Sequence, residues 1–433
     1  MMAEMNKTAL DTLLDVLKSS GADAWEVTDR EESGWEFYFI RRRLDQHRVK
    51  NIRTFSVKVY RKFEDCLGSA EAKIPCDASA EEMRRTVEGL CSDASYVRNP
   101  AYTLNQPRAA AKGDAAQDTA DPEAISRDFL RAMASVPETD TEDLNSYEIF
   151  VSRIRRRFLN SEGIDVTAVY PSSTVEVVVN ARRDGHEIEL YRLLDSGSCN
   201  SEQLARDLAE TLGYSRDRLV ASPTPALGKM DVVFSTDPAR ELYWYFIDRL
   251  NTGSVYRGIS DWKPGDSVAP ANMTLQAVRF LPNSSMNAAY DPEGAPVRDL
   301  TLIDRGKAVS YWGGRQFSQY LGVEDSFRAS NFAVSGSSES EADLRSGDYL
   351  EVVEFSDFQC DYFTGDIAGE IRLAYLHQDG RVTPVSGGSV SGSMTKMIDT
   401  FRFSRELRQY DCLLIPSVTR LKDVTVTGAE NCG

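Results

Sequence analysis

Segments of alternating apolar residues, separated by short turns, constrain the fold of this chain more than any other feature of its sequence. Residues 148–159 form one such segment, and the turn Asn160-Ser161-Glu162-Gly163 leads back through residues 164–170. A second apolar segment, residues 175–179, precedes Asp184-Gly185, a two-residue sequence that favours a tight β-hairpin turn. The pattern predicts that the strands in this part of the chain come as hairpins.

Helical patterns lie on both sides of these strands. Leucines spaced at i, i+3, i+4 and i+7 within residues 5–20 predict an amphipathic helix that stops at Gly21. A capping box ahead of residues 83–91 predicts a second helix. A leucine stripe over residues 204–212 predicts another helix that ends at Gly213.

The second half of the chain is β-rich with one conspicuous helix. Asp237, as N-cap, and Pro238, in the first helical position, predict a helix that runs to Gly253. Strand patterns follow at residues 276–280, 300–307, 349–355, 370–377 and 421–427. The predicted fold class is therefore α+β, with an N-terminal α/β layer region followed by a β-rich C-terminal domain with one prominent helix.

Composition divides the chain into parts. Residues 105–122 contain almost no large apolar side chain, and we interpret them as a linker or mobile loop. A proline-rich joint begins at Pro223. The predicted parts are an N-terminal α+β region (1–104), the linker (105–122), a hairpin-rich continuation of the N-terminal half (123–222) and a β-rich C-terminal domain (228–433).

Charge and cysteine content exclude several classes of protein. The chain has 67 acidic and 50 basic residues and a net charge of −17, which argues against direct contact with nucleic acid. No segment reaches the roughly 20 consecutive apolar residues of a membrane span, and the N-terminus has no apolar block typical of a signal peptide. The seven cysteines are scattered, without a C-x-x-C pair. We therefore expect a soluble, cytoplasmic protein without a disulfide framework.

Few residues suggest catalytic or metal chemistry. The three histidines are His47, His186 and His377. His186 begins an H-E sequence that does not continue as a zincin motif, and a surface position in a hairpin is the preferred interpretation. Cys360 and His377 are a possible thiolate pair across strands, although any cysteine and histidine in a β-rich domain can be paired in this way. No nucleophile elbow or phosphate-binding loop is present.

Two carboxylates, Asp291 and Glu293, lie close together in the sequence Asp-Pro-Glu-Gly. They could hold a cation or share a proton. An acidic turn, started by proline and ended by glycine, is the alternative and the preferred interpretation.

A series of short motifs extends in order over residues 158–428. They are Phe158-Leu-Asn-Ser-Glu-Gly163, Ala289-Tyr-Asp-Pro-Glu-Gly294, Leu302-Ile-Asp-Arg-Gly306, Thr364-Gly-Asp366, Pro384-Val385 with Gly392, and the terminal segment Ile415–Gly428. Each motif alone is weak, but together they resemble the TldD/PmbA family, formerly described as modulators of DNA gyrase. The resemblance implies that Asn160, Gly163, Gly294, Gly306, Gly365, Asp366 and Gly392 support the fold.

The same resemblance implies a division of labour between two kinds of subunit. TldD-like subunits carry a helix with H-E-x-x-x-H and a later cysteine that bind zinc, whereas TldE-like (PmbA) subunits lack the metal motif and pair with them. Here the corresponding helix reads Glu241-Leu-Tyr-Trp-Tyr-Phe246, without an imidazole, although Cys412 lies near the position of the zinc-binding cysteine. The chain therefore resembles the TldE branch, and zinc is expected only in a TldD-like partner.

These observations predict a non-catalytic subunit of a cytoplasmic TldD/TldE-type zinc metallopeptidase that acts on unfolded peptides. The expected partners are a TldD-like subunit, or a second copy in a self-dimer, and an extended peptide, without nucleic acid or membrane. A cleft or partner surface is predicted at Trp244, Tyr245, Glu241, Asp291 and Glu293. The alternatives are a free-standing peptide-binding protein and a peptidase with an unrecognised non-metal nucleophile.

Helical geometry sorts the side chains of this prominent helix. Leu242, Phe246 and Leu250 share one stripe, which we expect to be core. Trp244 and Tyr245 lie towards other faces, where they either line the cleft or are buried inside the β-rich domain.

Overall fold

β-strands dominate the computed structural model, which describes residues 8–110, 121–323 and 326–429. Strands make up 45% of these residues and helices 22%, with a β-rich C-terminal region that has few helices. The predicted α+β fold class is confirmed.

The N-terminal half contains one large antiparallel sheet. Its strands are β1 (Ala24–Ile40), β2 (Arg43–Lys62), β3 (Cys66–Pro75), β4 (Asn99–Pro100), β5 (Glu142–Asn160), β6 (Asp165–Arg183) and β7 (His186–Ser196). They are arranged in the order β4-β3-β2-β1-β5-β6-β7. Both predicted hairpins are confirmed: β5 pairs with β6, and Asp184 and Gly185, at φ 50° and 79°, turn the chain into β7. The pairing of β1 with β5 joins the predicted regions 1–104 and 123–222 in one sheet.

Four helices pack on this sheet, namely α1 (Ala9–Ser19), α2 (Ala80–Ala94), α3 (Pro122–Ala134) and α4 (Ser201–Arg218). The helix that was predicted to end at Gly213 continues five residues further, to Arg218. A glycine inside a helix costs only about 1 kcal/mol relative to alanine. Burial of Leu212 and Ser215, on both sides of the glycine, keeps this segment packed as a helix.

The C-terminal half has more and shorter strands. These are β8 (Ser222–Pro223), β9 (Gly228–Phe234), β10 (Thr274–Val278), β11 (Leu300–Asp304), β12 (Lys307–Ala308), β13 (Asn331–Ser335), β14 (Tyr349–Cys360), β15 (Asp366–Gln378), β16 (Arg381–Ser386), β17 (Ser389–Ser393), β18 (Arg402–Phe403), β19 (Leu407–Tyr410), β20 (Leu413–Pro416) and β21 (Thr419–Thr427). The helices are α5 (Ala239–Asp248), α6 (Thr252–Tyr256), α7 (Arg315–Tyr320), α8 (Glu341–Leu344) and α9 (Met394–Met397), followed by a 3₁₀ turn at Ile398–Thr400.

These strands form two sheets. One is open, with the order β12-β11-β10-β13-β20-β19. In the other, β14 pairs with β9, β9 with β21, β21 with β17, β17 with β15, and β15 again with β14. The second sheet therefore closes into a ring of five strands. Residues of both sheets and of α5 share one continuous apolar core.

Helix α5 is shorter than predicted. Pro238, and not Asp237, occupies the N-cap position, without a side-chain capping bond, and the helix ends at Asp248 instead of Gly253. The side chain of Asn251 caps a separate helix, α6. The chain leaves the helical path here because the N–H of Thr252 donates to the carbonyl of Trp312, an ordered partner outside the helix.

The predicted linker lies at the junction of the two halves. Its residues 111–120 are outside the described part of the chain. Before them, the side-chain amide of Asn105 donates to the carbonyl of Glu293, and that of Asn160 donates to the carbonyl of Asn105, at 3.1 and 2.9 Å. After them, Asp121 caps α3.

Among the helices of the described residues, none is both long enough and apolar enough to cross a lipid bilayer.

Candidate functional site

Helix α5 lies at the centre of the C-terminal half and carries three of the predicted site residues. It follows the buried end of β9 and packs against β14 and β20. The predicted core stripe is confirmed, since Leu242, Phe246 and Leu250 are each at most 1% exposed.

The two aromatic candidates on α5 differ in position. Tyr245 is completely buried, with its ring edge-on to Trp262 at 5.6 Å between centroids. The sequence leaves open whether Tyr245 lines a cleft or is buried, and the structure places it in the core, beside Trp262, Arg249 and Gly365. Trp244 is half-buried and packs edge-on against Phe332, which also packs against Trp312.

Two charged residues hold the loop between β14 and β15. They are Glu241, in the first turn of α5, and Arg249, directly after the last residue of that helix. The hydroxyl of Tyr362 donates to the Glu241 carboxylate at 2.8 Å. The guanidinium of Arg249 donates to the carbonyls of Tyr362 and Phe363, each at 3.0 Å. Burial, and then the charge of Glu241, raise the pKa of Tyr362, so the phenol remains protonated and able to donate.

Arg249 is a buried cation beside the helix. It is only 6% exposed, lies 4.7 Å from the centre of the Trp262 ring and 5.4 Å from that of Tyr245, and pairs with Asp261. Its Nε atom and the hydroxyl of Tyr245 are both buried without a hydrogen-bond partner among the described residues. Sequence reasoning missed Arg249, although Glu241, Tyr245 and Arg249 form an i, i+4, i+8 series of polar groups in an otherwise apolar segment.

The donors around α5 do not fit a zinc ion. Zinc in proteins takes imidazole, thiolate and carboxylate ligands. Here the carboxylate of Glu241 is bonded to Tyr362, and Arg249 brings a positive charge to the same face. Burial raises the pKa of the nearby Cys360 thiol to about 12, which keeps it protonated at neutral pH. Within the described ranges, no three His, Cys, Asp or Glu side chains lie close enough to hold one metal ion.

The histidines are dispersed over the two halves. His186 starts β7, His47 stacks between Trp35 and Phe37, and His377 stacks on Tyr349. The hypothetical pair of Cys360 with His377 is wrong, because the β14–β15 register places Cys360 opposite Ile367 and His377 opposite Tyr349, at opposite ends of the hairpin. At about 3.3 Å per residue, the two are roughly 30 Å apart.

Asp291 and Glu293 organise a turn at the junction of the halves. The carboxylate of Asp291, 3% exposed, accepts backbone N–H groups from Glu293, Ala295 and Arg328. Burial and the charge of Glu293 raise the pKa of Asp291 to about 6. Glu293 in turn accepts the backbone N–H of Arg315. The structure therefore does not bring these carboxylates together with Glu241, which bonds to Tyr362, or with Tyr245, which packs against Trp262 and Arg249.

Residues of the family-like motifs occupy turns and close contacts. Gly294 has φ 76°, and a Cβ atom there would lie 2.9 Å from the side chains of Phe158 and Ile164, so only glycine fits without strain. The side-chain oxygen of Asn160 accepts the N–H groups of Glu162 and Ile164. The remaining motif residues lie in the turn before β6 (Gly163), the β11–β12 turn (Gly306), the β14–β15 connection (Gly365), the start of β15 (Asp366) and β17 (Gly392).

A cleft that the sequence did not predict separates α4 and β7 from the start of α5. Two adjoining cavities there, of about 130 and 260 Å³, share Asp207, Asp237, Arg240 and Tyr410 among their lining residues. Cys412 lines the smaller one, where burial and the charge of Asp411 raise the pKa of its thiol to about 11. The lining residues come from segments about 200 positions apart in the sequence, so no local pattern could indicate the cleft.

Comparison with known families identifies the C-terminal half. Residues 227–428 match the family described as the PmbA/TldA metallopeptidase C-terminal domain. This segment is a PmbA/TldD C-terminal domain. The family that the sequence motifs predicted is thus confirmed. The chain matches no curated protein.

Solved structures share the fold of this chain over nearly its whole length. TldE from Thermococcus kodakarensis has a TM-score of 0.77 at 16% identity, over 97% of this chain and 100% of that one. A candidate modulator of DNA gyrase from Thermotoga maritima has a TM-score of 0.77 at 14% identity, over 97% and 99% of the two chains. A second such protein, from Bacteroides thetaiotaomicron, has a TM-score of 0.78 at 17% identity, over 99% and 100%. At these identities the likeness concerns the fold.

Proposed function

We propose that this chain is the non-catalytic, TldE/PmbA-like subunit of a TldD/TldE-type zinc metallopeptidase. The observation that carries the proposal is Arg249, a buried guanidinium packed between Tyr245 and Trp262 on the face of α5 where Glu241 also lies. A positive charge at this place disfavours the binding of a divalent metal ion, because the repulsion between two cations is strong in a poorly hydrated interior. Metal chemistry then belongs to a TldD-like partner that carries H-E-x-x-x-H.

The role proposed for the chain is to complete the substrate chamber of that partner. Substrates are unfolded peptides in an extended conformation, which a β-rich surface can bind through strand edges and side-chain pockets. We place the complex in the cytoplasm, and the six described cysteines, all free thiols, agree with a reducing compartment.

The test is reconstitution with a partner. The chain is produced alone, a TldD-like protein with an intact H-E-x-x-x-H motif is produced alone, and the two are also co-expressed, with a tag on this chain only. We expect co-purification in a fixed ratio, with hydrolysis of a reduced, unfolded casein substrate by the complex and not by this chain alone. Zinc, measured after dialysis by atomic absorption, should be stoichiometric with the partner only.

The matched control is the same complex with the motif glutamate of the partner changed to glutamine, which should assemble and bind zinc but lose hydrolysis. One tightly bound zinc on the isolated chain would contradict the proposal. Hydrolysis by the isolated chain, or failure to assemble with any H-E-x-x-x-H protein encoded beside it, would contradict it equally.

A further inference from the structure

A pocket of about 340 Å³ lies between the N-terminal sheet and the C-terminal half, away from the loop that α5 holds. One wall comes from β5 and β6, through Arg156 and Tyr170. The other walls come from residues 286–297, from Asn251 and Trp312, and from residues 328–330. Its volume is in the lower part of the range of small-ligand sites in proteins, which starts near 300 Å³.

Aromatic rings form much of the pocket. Tyr170, Tyr290 and Trp312 are all half-buried, so each exposes part of its ring. Trp312 is fixed in place, because its indole N–H donates to the carbonyl of Ile247 at 2.8 Å. A preformed apolar slot of this kind suits an aromatic or large aliphatic side chain.

The spare polar groups of the pocket are mainly donors. The guanidinium of Arg156 donates one hydrogen bond to the carbonyl of Tyr290, at 2.8 Å, and lies over the Tyr170 ring. Arg328 pairs through Nε with Glu293, and within the described residues its two terminal nitrogens have no hydrogen-bond partner. The hydroxyl of Ser330 is buried and, among the described residues, has no hydrogen-bond partner.

The acidic groups nearby are already engaged. Both oxygens of Asp291 accept backbone N–H groups, and the carboxylate of Glu293 accepts the N–H of Arg315 and pairs with Arg328. The groups left for a ligand therefore include guanidinium N–H donors and the hydroxyl of Ser330, beside aromatic rings. A carboxylate is the acceptor that guanidinium groups bind best, because two parallel hydrogen bonds form.

We propose that this pocket binds the C-terminal residue of an extended peptide, with the carboxylate at Arg156, Arg328 and Ser330 and an apolar side chain among Tyr170, Tyr290 and Trp312. The inference rests on the proposed function, since it assigns to this subunit the recognition of one end of the peptide substrate. The ligand class is a peptide with a free C-terminal carboxylate and a large apolar last residue.

Binding can be measured on the full chain without partner or activity. The probe is fluorescein-labelled Ala-Ala-Ala-Phe with a free carboxylate, followed by fluorescence anisotropy, and the same peptide with a C-terminal amide is the comparison. We expect saturable binding of the acid and at least tenfold weaker binding of the amide. Arg156→Gln should weaken binding of the acid at least tenfold, whereas Arg157→Gln, on the same strand but paired with Asp165, should not.

Ser330→Ala separates ligand binding from folding. Within the described residues its hydroxyl has no hydrogen-bond partner, so its loss should not lower the melting temperature but should weaken binding of the acid several-fold. Equal binding of acid and amide, unchanged binding by Arg156→Gln and Ser330→Ala, or no saturable binding would overturn the proposal.

The outcomes also separate the pocket from the proposed function. If the chain assembles with a TldD-like partner yet binds neither probe, only the pocket assignment is overturned. A chain that binds the acid but never assembles would support the pocket and overturn the proposed function.

Discussion

The hydroxyl of Tyr362 donates a 2.8 Å hydrogen bond to the carboxylate of Glu241, and this bond joins the β14–β15 loop to the first turn of α5. Arg249, two turns further along, donates to the carbonyls of Tyr362 and Phe363. The loop is thus held at both ends of one helix, by a charge-assisted bond at each end.

The bond between Tyr362 and Glu241 should contribute measurably to stability. Hydrogen bonds to charged groups contribute about 1.5–3 kcal/mol, and this pair is only partly buried, so we expect Tyr362→Phe to lower the free energy of unfolding by about 1–2 kcal/mol. Urea unfolding of Tyr362→Phe, Glu241→Gln and the double variant forms a thermodynamic cycle. A coupling energy indistinguishable from zero would show that the contact is not formed in solution.

The two fully buried tyrosines of α5 should respond oppositely to loss of the hydroxyl. Tyr243 shares a 2.7 Å hydrogen bond with Thr419, whereas the hydroxyl of Tyr245 has no partner among the described residues. Removing an unsatisfied buried polar group relieves a desolvation cost, while removing one partner of a bond adds one. We expect Tyr245→Phe to be neutral or stabilising by up to about 1 kcal/mol, and Tyr243→Phe to destabilise by about 1–2 kcal/mol.

Thermal and urea unfolding of the two phenylalanine variants side by side checks this expectation, each variant being the control for the other. Equal destabilisation by both changes would mean that an ordered water or another group satisfies Tyr245.

Asp291 should make stability depend on pH between about 4 and 6. Its pKa is raised to about 6 in the folded chain, against about 3.9 for an unperturbed aspartate. The folded state therefore binds more protons in this window, and stability must fall as pH rises through it. The difference of about two pKa units corresponds to about 3 kcal/mol of stability, which is present below pH 4 and lost above pH 6.

The measurement is the unfolding free energy of the wild type and Asp291→Asn between pH 4 and 7.5. Other carboxylates titrate in the same range, so the difference between the two curves isolates Asp291. Parallel curves across the window would show that its pKa is not raised.

Gly294 should tolerate no side chain. At φ 76°, alanine costs roughly 1–2 kcal/mol from backbone strain alone. Overlap with Phe158 and Ile164 adds about 1–3 kcal/mol of overpacking. Gly185→Ala is the control, since its φ is 79° but nothing lies within 4 Å of the new Cβ, and only the strain applies. Equal losses for the two alanine variants, compared by thermal unfolding, would mean that the turn around Gly294 moves without cost.

The sequence alone determined those features that depend on neighbouring residues. The Asp184-Gly185 hairpin turn, the capping box at Ser79 and the core stripe on α5 each require only the local backbone preference of a few residues. The absence of histidine between His186 and His377 is also a property of the sequence alone, and it excludes an H-E-x-x-x-H motif on α5 whatever the fold.

Only the tertiary structure decided which polar groups meet and which side chains are accessible. Whether Tyr245 faced a cleft or the core depended on Trp262 and on Gly365, which lies 120 residues later in the chain. Arg249 owes its burial to Trp262 and to the carbonyls of Tyr362 and Phe363. The pocket at Arg156 joins residues up to 174 positions apart, from Arg156 to Ser330. Such contacts arise from long-range packing, which no periodicity in the sequence encodes.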